Sequence, residues 1–109
     1  MNRPLTPETM EMLAARFKVL AEPMRLRILN ALREGEKTVS QLVEETGAGQ
    51  ANISKHLGLL HRYRMVARRK EGLNVYYRIS DPTIFELCEL VCQSLEEELE
   101  ARRRALGAL

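Results

Sequence analysis

The sequence has no long apolar run, no apolar leader and only two cysteines. Each of these features argues against one class of protein. No apolar run approaches the roughly 20 residues that a membrane span needs. The first residues, Met1-Asn2-Arg3-Pro4, lead into a polar stretch without the apolar core of a secretory signal. We therefore expect a cytoplasmic protein with no membrane partner, whose thiols are reduced and form no disulfide framework.

Signatures of catalysis are also missing. The sequence has no phosphate-binding loop and no catalytic triad pattern, and its two histidines, His56 and His61, lie far along the chain from Cys88 and Cys92. Neither cysteine lies at a predicted helix N-terminus, where a thiolate would be activated. An enzyme is therefore not expected. At 109 residues the chain fits one domain, spanning residues 1–109.

The charges are unevenly distributed, although the net charge is only +2. Residues 55–78 contain seven basic residues and one acidic residue, Glu71. Residues 81–100 contain seven acidic residues and neither lysine nor arginine. A basic block beside an acidic block indicates one face that meets a polyanion such as DNA. The alternative is that both blocks are solvated faces without a partner.

Helical periodicity continues to about residue 63 and includes a predicted helix-turn-helix. The segment Thr38-Val39-Ser40-Gln41 has the spacing of a capping box, in which the threonine and glutamine reciprocally cap a helix. Gly47 ends that short helix, and another follows from about residue 50 to residue 63. Two short helices joined by a tight turn with glycine predict a helix-turn-helix over about 38–63.

The pattern then changes to that of a β-hairpin and a long helix. Residues 65–80 form two β-prone arms around a turn that contains Gly72 and Asn74, and Tyr76 and Tyr77 would point to opposite faces. A final helix is predicted over about 82–106. The sequence thus predicts a mainly helical domain in the order α-α-α-α-β-β-α.

Three segments in this order resemble the ArsR/SmtB family of bacterial winged-helix repressors. Residues 17–29 (FKVLAEPMRLRIL) are similar to the family's LADPTRRRIL, and residues 50–60 (QANISKHLGLL) to its SQSTVSRHLKVL. Residues 68–79 (RRKEGLNVYYRI) resemble its R-EGR-VYYRL hairpin, or wing. The resemblance implies a winged helix-turn-helix that dimerises through its first and last helices. It also implies a repressor that an inducer releases from double-stranded operator DNA.

The polar face of the fourth helix and the hairpin supply the predicted DNA contacts. Ile53, Leu57 and Leu60 share one face of that helix, and the opposite face can enter the major groove. The candidate residues are Gln50, Ala51, Asn52, Ser54, Lys55 and His56 on the helix and Arg68, Arg69, Lys70 and Asn74 on the hairpin. The alternatives are an ordinary polar surface, a structural role for His56, and hairpin charges that prevent edge-strand pairing.

The metal ligands of several relatives are absent from the matching positions. The third-helix Cys-x-Cys is missing, and the last-helix pattern D-x-H followed by H-x-x-E is represented by Asp81, Thr83, Ser94 and Glu97. A zinc sensor of that kind is not expected, because hydroxyls are poor zinc ligands beside imidazole. The second-helix cysteine of persulfide-sensing relatives is replaced by Asn30.

Cys88 and Cys92 remain as candidate inducer ligands, since their i, i+4 spacing places both sulfurs on one helix face. They could bind a soft ion such as arsenite or antimonite, or react with an oxidant or persulfide. The alternative is apolar packing at the dimer interface. No cofactor is expected to be obligatory. A constitutive or differently induced regulator and a winged-helix protein-interaction module also stay open.

Overall fold

Five helices and three strands follow one another along residues 3–108, the part of the chain that the computed structural model describes. In chain order they are α1 (Pro7–Leu20), α2 (Pro23–Leu32), β1 (Lys37–Thr38), α3 (Val39–Thr46), α4 (Gln50–Arg62), β2 (Val66–Glu71), β3 (Asn74–Ile79) and α5 (Thr83–Gly107). Residues 1, 2 and 109 of the predicted domain lie outside the described residues. Among residues 3–108, none of the helices combines the length and apolarity that crossing a bilayer requires.

The helix-turn-helix is fixed by the local signals that predicted it. Thr38 accepts a hydrogen bond from the Gln41 backbone N–H at 3.2 Å, and the Gln41 side chain accepts one from the Thr38 N–H at 2.8 Å. The predicted capping box is therefore confirmed. Gly47 ends α3 with φ at 76°, a left-handed conformation that favours glycine. The turn through Ala48 and Gly49 then leads directly into α4.

The sheet has one more strand than the predicted hairpin. Its order is β1-β3-β2, all antiparallel, with Lys37 opposite Tyr77 and Thr38 opposite Tyr76. Strand β1 is only two residues long, so its sequence carries no alternating pattern. The strand exists because β3 offers it a free edge, which is a tertiary property. It anchors the start of α3 to the wing.

The core lies between α2, α3, α4 and the base of the wing. Its fully buried side chains are Ile28, Leu42, Ile53, Leu57, Leu60, Met65 and Val66. Helices α1 and α5 contribute little to it, with Val19 and Ile84 as their buried residues. Large apolar side chains on both helices stay exposed, including Phe17 at 51% and Leu99 at 58%. These two helices therefore carry most of the large apolar side chains that the single chain leaves exposed.

The junction between α4 and β2 contains a strained residue. Arg64 has φ at 60°, and the bonds from Arg64 N to His61 O and from Met65 N to Leu60 O, both 3.0 Å, define a Schellman motif. Glycine normally occupies this position because a side chain is strained there. We expect Arg64→Gly to raise the free energy of unfolding by about 1 kcal/mol in urea denaturation.

A matched control for this change is Arg62→Gly, at the last residue of α4. There the backbone is helical, so glycine should lower the free energy of unfolding by up to about 1 kcal/mol. Opposite signs for the two variants would identify the left-handed backbone as the cause. A loss of stability in both would contradict the strain at Arg64.

Candidate nucleic-acid interface

Helix α4 presents one buried and one exposed face. Ile53, Leu57 and Leu60 are each 0% exposed and pack into the core. The predicted DNA contacts on this helix are exposed, and they are Gln50, Ala51, Asn52, Ser54 and Lys55. Small and hydrogen-bonding side chains on an exposed helix face fit the major groove. Within residues 3–108, the Lys55 ammonium forms no ion pair with a carboxylate.

The N-terminus of α4 is open at its first turn. Gly49 is the N-cap residue and provides no side chain to accept the first N–H groups. Those N–H groups are unpaired within the helix and point away from its N-terminus, where the positive end of the helix dipole also lies. A phosphate oxygen could therefore accept hydrogen bonds there while the Asn52 and Lys55 side chains reach base edges.

His56 is the exception among the predicted contacts on α4. Its side chain is 13% exposed and lies against the α1–α2 junction. Nδ1 is 3.2 Å from Nη1 of Arg25, and Nε2 is 3.8 Å from a carboxylate oxygen of Glu22. This placement favours the structural role that the sequence left open, with side chains as the partners of the imidazole. A DNA contact by His56 stays a prediction.

The wing cations divide between the two faces of the hairpin. Side chains alternate along a strand, so Arg68 and Lys70 share the face of the buried Val66. Arg69 lies on the other face, beside Tyr76. The predicted opposite orientation of the tyrosines is confirmed, since Tyr77 packs against the core.

Arg69 is held by contacts within the protein. Its guanidinium donates to both carboxylate oxygens of Glu36 at 3.0 and 2.9 Å and to Glu71 at 2.6 Å. It also stacks over Tyr76, 4.6 Å from the ring centroid. The hydrogen bond from Arg69 lowers the pKa of Glu36, and the hydrogen bonds to Glu36 and Glu71 raise the pKa of Arg69. Two carboxylates therefore screen this cation from a phosphate.

Arg68 and Lys70 differ from Arg69 in this respect. Both are exposed, and neither pairs with a carboxylate of the described chain. The exposed Asn74 follows the turn. At the tip, Gly72 has φ at 61° and Leu73 is 100% exposed. The wing thus presents two uncompensated cations near an apolar tip.

The two cysteines lie away from this surface, in a cavity between α2 and α5. Cys88 is half-buried, Cys92 is exposed, and neither forms a disulfide. The cavity has a volume of about 280 Å³, and its lining residues are Leu26, Leu29, Asn30, Arg33, Ile84, Phe85, Cys88, Glu89 and Cys92. The predicted thiol pair therefore faces one largely apolar space. Within residues 3–108 of a single chain, no three His, Cys, Asp or Glu side chains cluster as a metal site.

Comparison with known proteins adds to this geometry. The profile of the bacterial regulatory protein family arsR matches residues 22–68. An uncharacterised HTH-type transcriptional regulator of Mycobacterium tuberculosis is 37% identical over 94 residues, which are 85% of this chain and 82% of the relative. The crystal structure of AntR, an antimony-specific transcriptional repressor, has a TM-score of 0.76 at 32% identity, with 91% of this chain and 90% of AntR covered.

A third relative is a homodimeric winged helix-turn-helix DNA-binding domain from Mycobacterium bovis. Its solution structure has a TM-score of 0.75 at 31% identity and covers 92% of this chain and 93% of that chain. The fold and the exposed face of α4 define a winged helix-turn-helix regulator. With these relatives, the chain belongs to the ArsR family of bacterial regulatory proteins and is a transcriptional repressor of the ArsR/SmtB type.

Proposed function

We propose that a homodimer of this chain represses transcription in the cytoplasm by binding operator DNA in a sequence-specific manner. The exposed polar face of α4 carries the proposal, because its buried face fixes which side chains can enter a major groove. Arg68 and Lys70 of the wing would contact phosphates or the neighbouring minor groove. This surface fits double-stranded DNA, because the cations of the wing and the hydrogen-bonding side chains of α4 lie on adjacent elements.

Dimerisation would use α1 and α5. Both helices expose large apolar side chains in the single chain, including Met10, Phe17, Val91, Leu95 and Leu99. Burying such side chains provides the driving force for association. The homodimeric state of the Mycobacterium bovis relative supports a homodimer of this chain. A dimer also suits operator recognition, since two recognition helices can occupy two half-sites.

The inducer in this proposal is a thiol-reactive species that acts at Cys88 and Cys92. Both line the α2–α5 cavity, and the antimony-specific repressor AntR supports a thiophilic inducer. Antimonite and arsenite are soft ions of this kind that thiolates bind. With arsenite, As(OH)₃, each thiol would replace one hydroxyl group. Two As–S bonds form, two As–O bonds break, and two water molecules leave, with no change in oxidation state.

Binding in this cavity would act on two elements at once. Its walls are α2, which lies at the centre of the fold, and α5, which belongs to the proposed dimer interface. A ligand bound to Cys88 and Cys92 would occupy space between α2 and α5 and would favour a different separation of these helices. A changed α2–α5 separation would alter the spacing of the two recognition helices, so operator affinity would fall.

Serine at both cysteines should abolish the response to the inducer. We expect wild type to lose operator binding when arsenite is added, and Cys88→Ser/Cys92→Ser to keep its operator affinity within about twofold. The measurement is fluorescence anisotropy of reduced protein on a labelled duplex from upstream of its gene. Arsenite and a persulfide donor are tested separately, to distinguish ion binding from sulfur oxidation.

Gln93→Ser provides the matched control, because Gln93 is exposed on the same helix beside Cys92. It should respond to the inducer as wild type does. Release of the cysteine-free protein by arsenite would contradict the thiol site. Tight binding of wild type that neither reagent affects would support a constitutive or differently induced repressor. Absence of salt-sensitive DNA binding would contradict the repressor itself and favour protein contacts.

A further inference from the structure

Arg25 joins three separate parts of the fold through one guanidinium group. Its Nε donates to the carbonyl oxygen of Val19 at 2.5 Å, and Nη2 donates to that of Lys18 at 3.3 Å. Its Nη1 lies 3.2 Å from Nδ1 of His56 on α4. The backbone N–H of Arg25 also donates to the Glu22 side chain at 3.2 Å. The three donor atoms of the group thus reach α1 and α4 from α2.

The contacts with α1 hold the guanidinium in place. Lys18 and Val19 belong to the last turn of α1. The Val19 carbonyl has no i+4 donor because residue 23 is proline, and the Lys18 carbonyl also accepts from the Ala21 N–H at 3.2 Å. Arg25 therefore caps the C-terminus of α1. Because a guanidinium is planar and rigid, these bonds also set the direction in which Nη1 points. Its third contact, with His56, then has a fixed geometry.

The contact with Arg25 also favours one tautomer of the imidazole ring. Arginine can only donate hydrogen bonds, so Nδ1 of His56 must accept. The ring proton is then on Nε2, which faces the Glu22 carboxylate at 3.8 Å. The guanidinium of Arg25, the imidazole of His56 and the carboxylate of Glu22 thus lie in a row. Of the three residues, only His56 belongs to α4.

His56 is well placed to control the rotation of α4. The buried side chains Ile53 and Leu57 hold the helix by non-directional apolar contacts. His56 lies at the flank of this apolar face and adds the directional contact that these residues lack. It is one residue after Lys55 and one helical turn after Asn52, so a rotation of α4 about its axis moves all three together.

We propose that Arg25 and His56 are positioning residues that set the rotation of the recognition helix against the end of α1. This inference rests on the proposed function, and it identifies the contact that orients α4 for DNA binding. Since α1 belongs to the proposed dimer interface, the same guanidinium connects that interface to the DNA-binding helix. Neither residue needs to contact DNA in this role.

The two roles available to His56 predict different salt dependence. A phosphate contact made by a charged imidazolium would steepen the slope of log affinity against log salt by about 0.9, or by about 1.8 for two subunits. A positioning residue leaves the slope unchanged but lowers the preference for the operator over non-specific DNA. Non-specific binding depends on the cations, which stay in place when His56 is replaced.

The test measures operator and non-specific affinity by anisotropy over a series of salt concentrations. We expect His56→Leu to lower the operator preference about tenfold, with the salt slope and the non-specific affinity unchanged. His56→Asn should stay within about threefold of wild type, because Oδ1 can replace Nδ1 as the acceptor. Arg25→Lys keeps the charge but has one nitrogen for three acceptors, so it should resemble His56→Leu.

Two further measurements keep the outcomes separate. The double variant Arg25→Lys/His56→Leu should lose no more than either single variant, because both remove the same contact. In the free protein, Arg25→Lys should shift the amide resonances of α4 in ¹H–¹⁵N spectra. A slope lowered by about 1.8 in His56→Leu, or an equal loss in His56→Asn, would overturn the proposal.

The NMR arm does not depend on operator binding. Unchanged α4 amide resonances in Arg25→Lys would overturn the positioning role even if wild type binds its operator tightly. Shifted resonances in a protein without operator preference would support the contact and contradict the proposed function instead. If His56→Leu does not fold, Arg25→Lys and His56→Asn carry the comparison.

Discussion

Lys55→Ala is expected to weaken operator binding by about 30-fold or more. Lys55 is exposed on the face of α4 opposite the buried Ile53 and Leu57. A good contact with a base is worth about 1–3 kcal/mol, and the proposed dimer would lose two such contacts. If Lys55 instead contacts a phosphate, the salt slope should also fall by about 1.8 for the dimer. Anisotropy titrations at several salt concentrations measure both quantities.

The control for Lys55 is Arg103→Ala, which removes a cation from the exposed C-terminal end of α5. It should change operator affinity by less than about twofold. Arg69→Ala should have a smaller effect than Lys55→Ala, because Glu36 and Glu71 already neutralise that guanidinium. Wild-type affinity and slope in Lys55→Ala would remove Lys55 from the interface. A larger loss for Arg69→Ala would mean that the wing dominates binding.

Leu57→Ala should lower the free energy of unfolding by about 3 kcal/mol. Leu57 is 0% exposed and packs at the centre of the core that supports α4. Truncation of a buried leucine removes apolar contacts and leaves a cavity, at a cost of about 2–5 kcal/mol. Domains of this size have a total stability of about 5–15 kcal/mol, so the loss is a large fraction of it. Urea denaturation measures the change from the midpoint at constant slope.

Leu73→Ala is the matched control, since the same side chain is 100% exposed at the wing tip. It should change the free energy of unfolding by less than about 0.5 kcal/mol. A loss below about 1 kcal/mol in Leu57→Ala would contradict its central place in the core. Equal losses in the two variants would point to an effect on the unfolded chain.

The sequence predicts local features of this protein well. The capping box at Thr38 and Gln41, the left-handed Gly47 and the opposite faces of Tyr76 and Tyr77 all appear in the structure as predicted. Each depends on residues a few positions apart, whose geometry the helix or strand itself sets. The seven predicted elements appear in the predicted order for the same reason.

The features that the sequence did not predict depend on residues far apart in the chain. Arg25 is 31 residues from His56, and Arg69 is 33 residues from Glu36. Charge type alone does not say which carboxylate meets which cation, because that depends on how the elements pack. The first contact forms where α2 meets α4, and the second forms where the wing meets the chain before β1. The α2–α5 cavity likewise exists only after the helices have packed.

The exposed part of α5 affects how repression depends on the concentration of the protein. Every residue from Glu89 to Ala108 is exposed in the single chain, so 19 of the 25 residues of the longest helix gain little protection from its own fold. Stability supplied by a partner copy depends on protein concentration through mass action. At low expression, amides of this segment would exchange rapidly with solvent, and proteases would cleave it first. Folding, dimer formation and operator occupancy would then rise together, and repression would increase more steeply than in proportion to the number of chains.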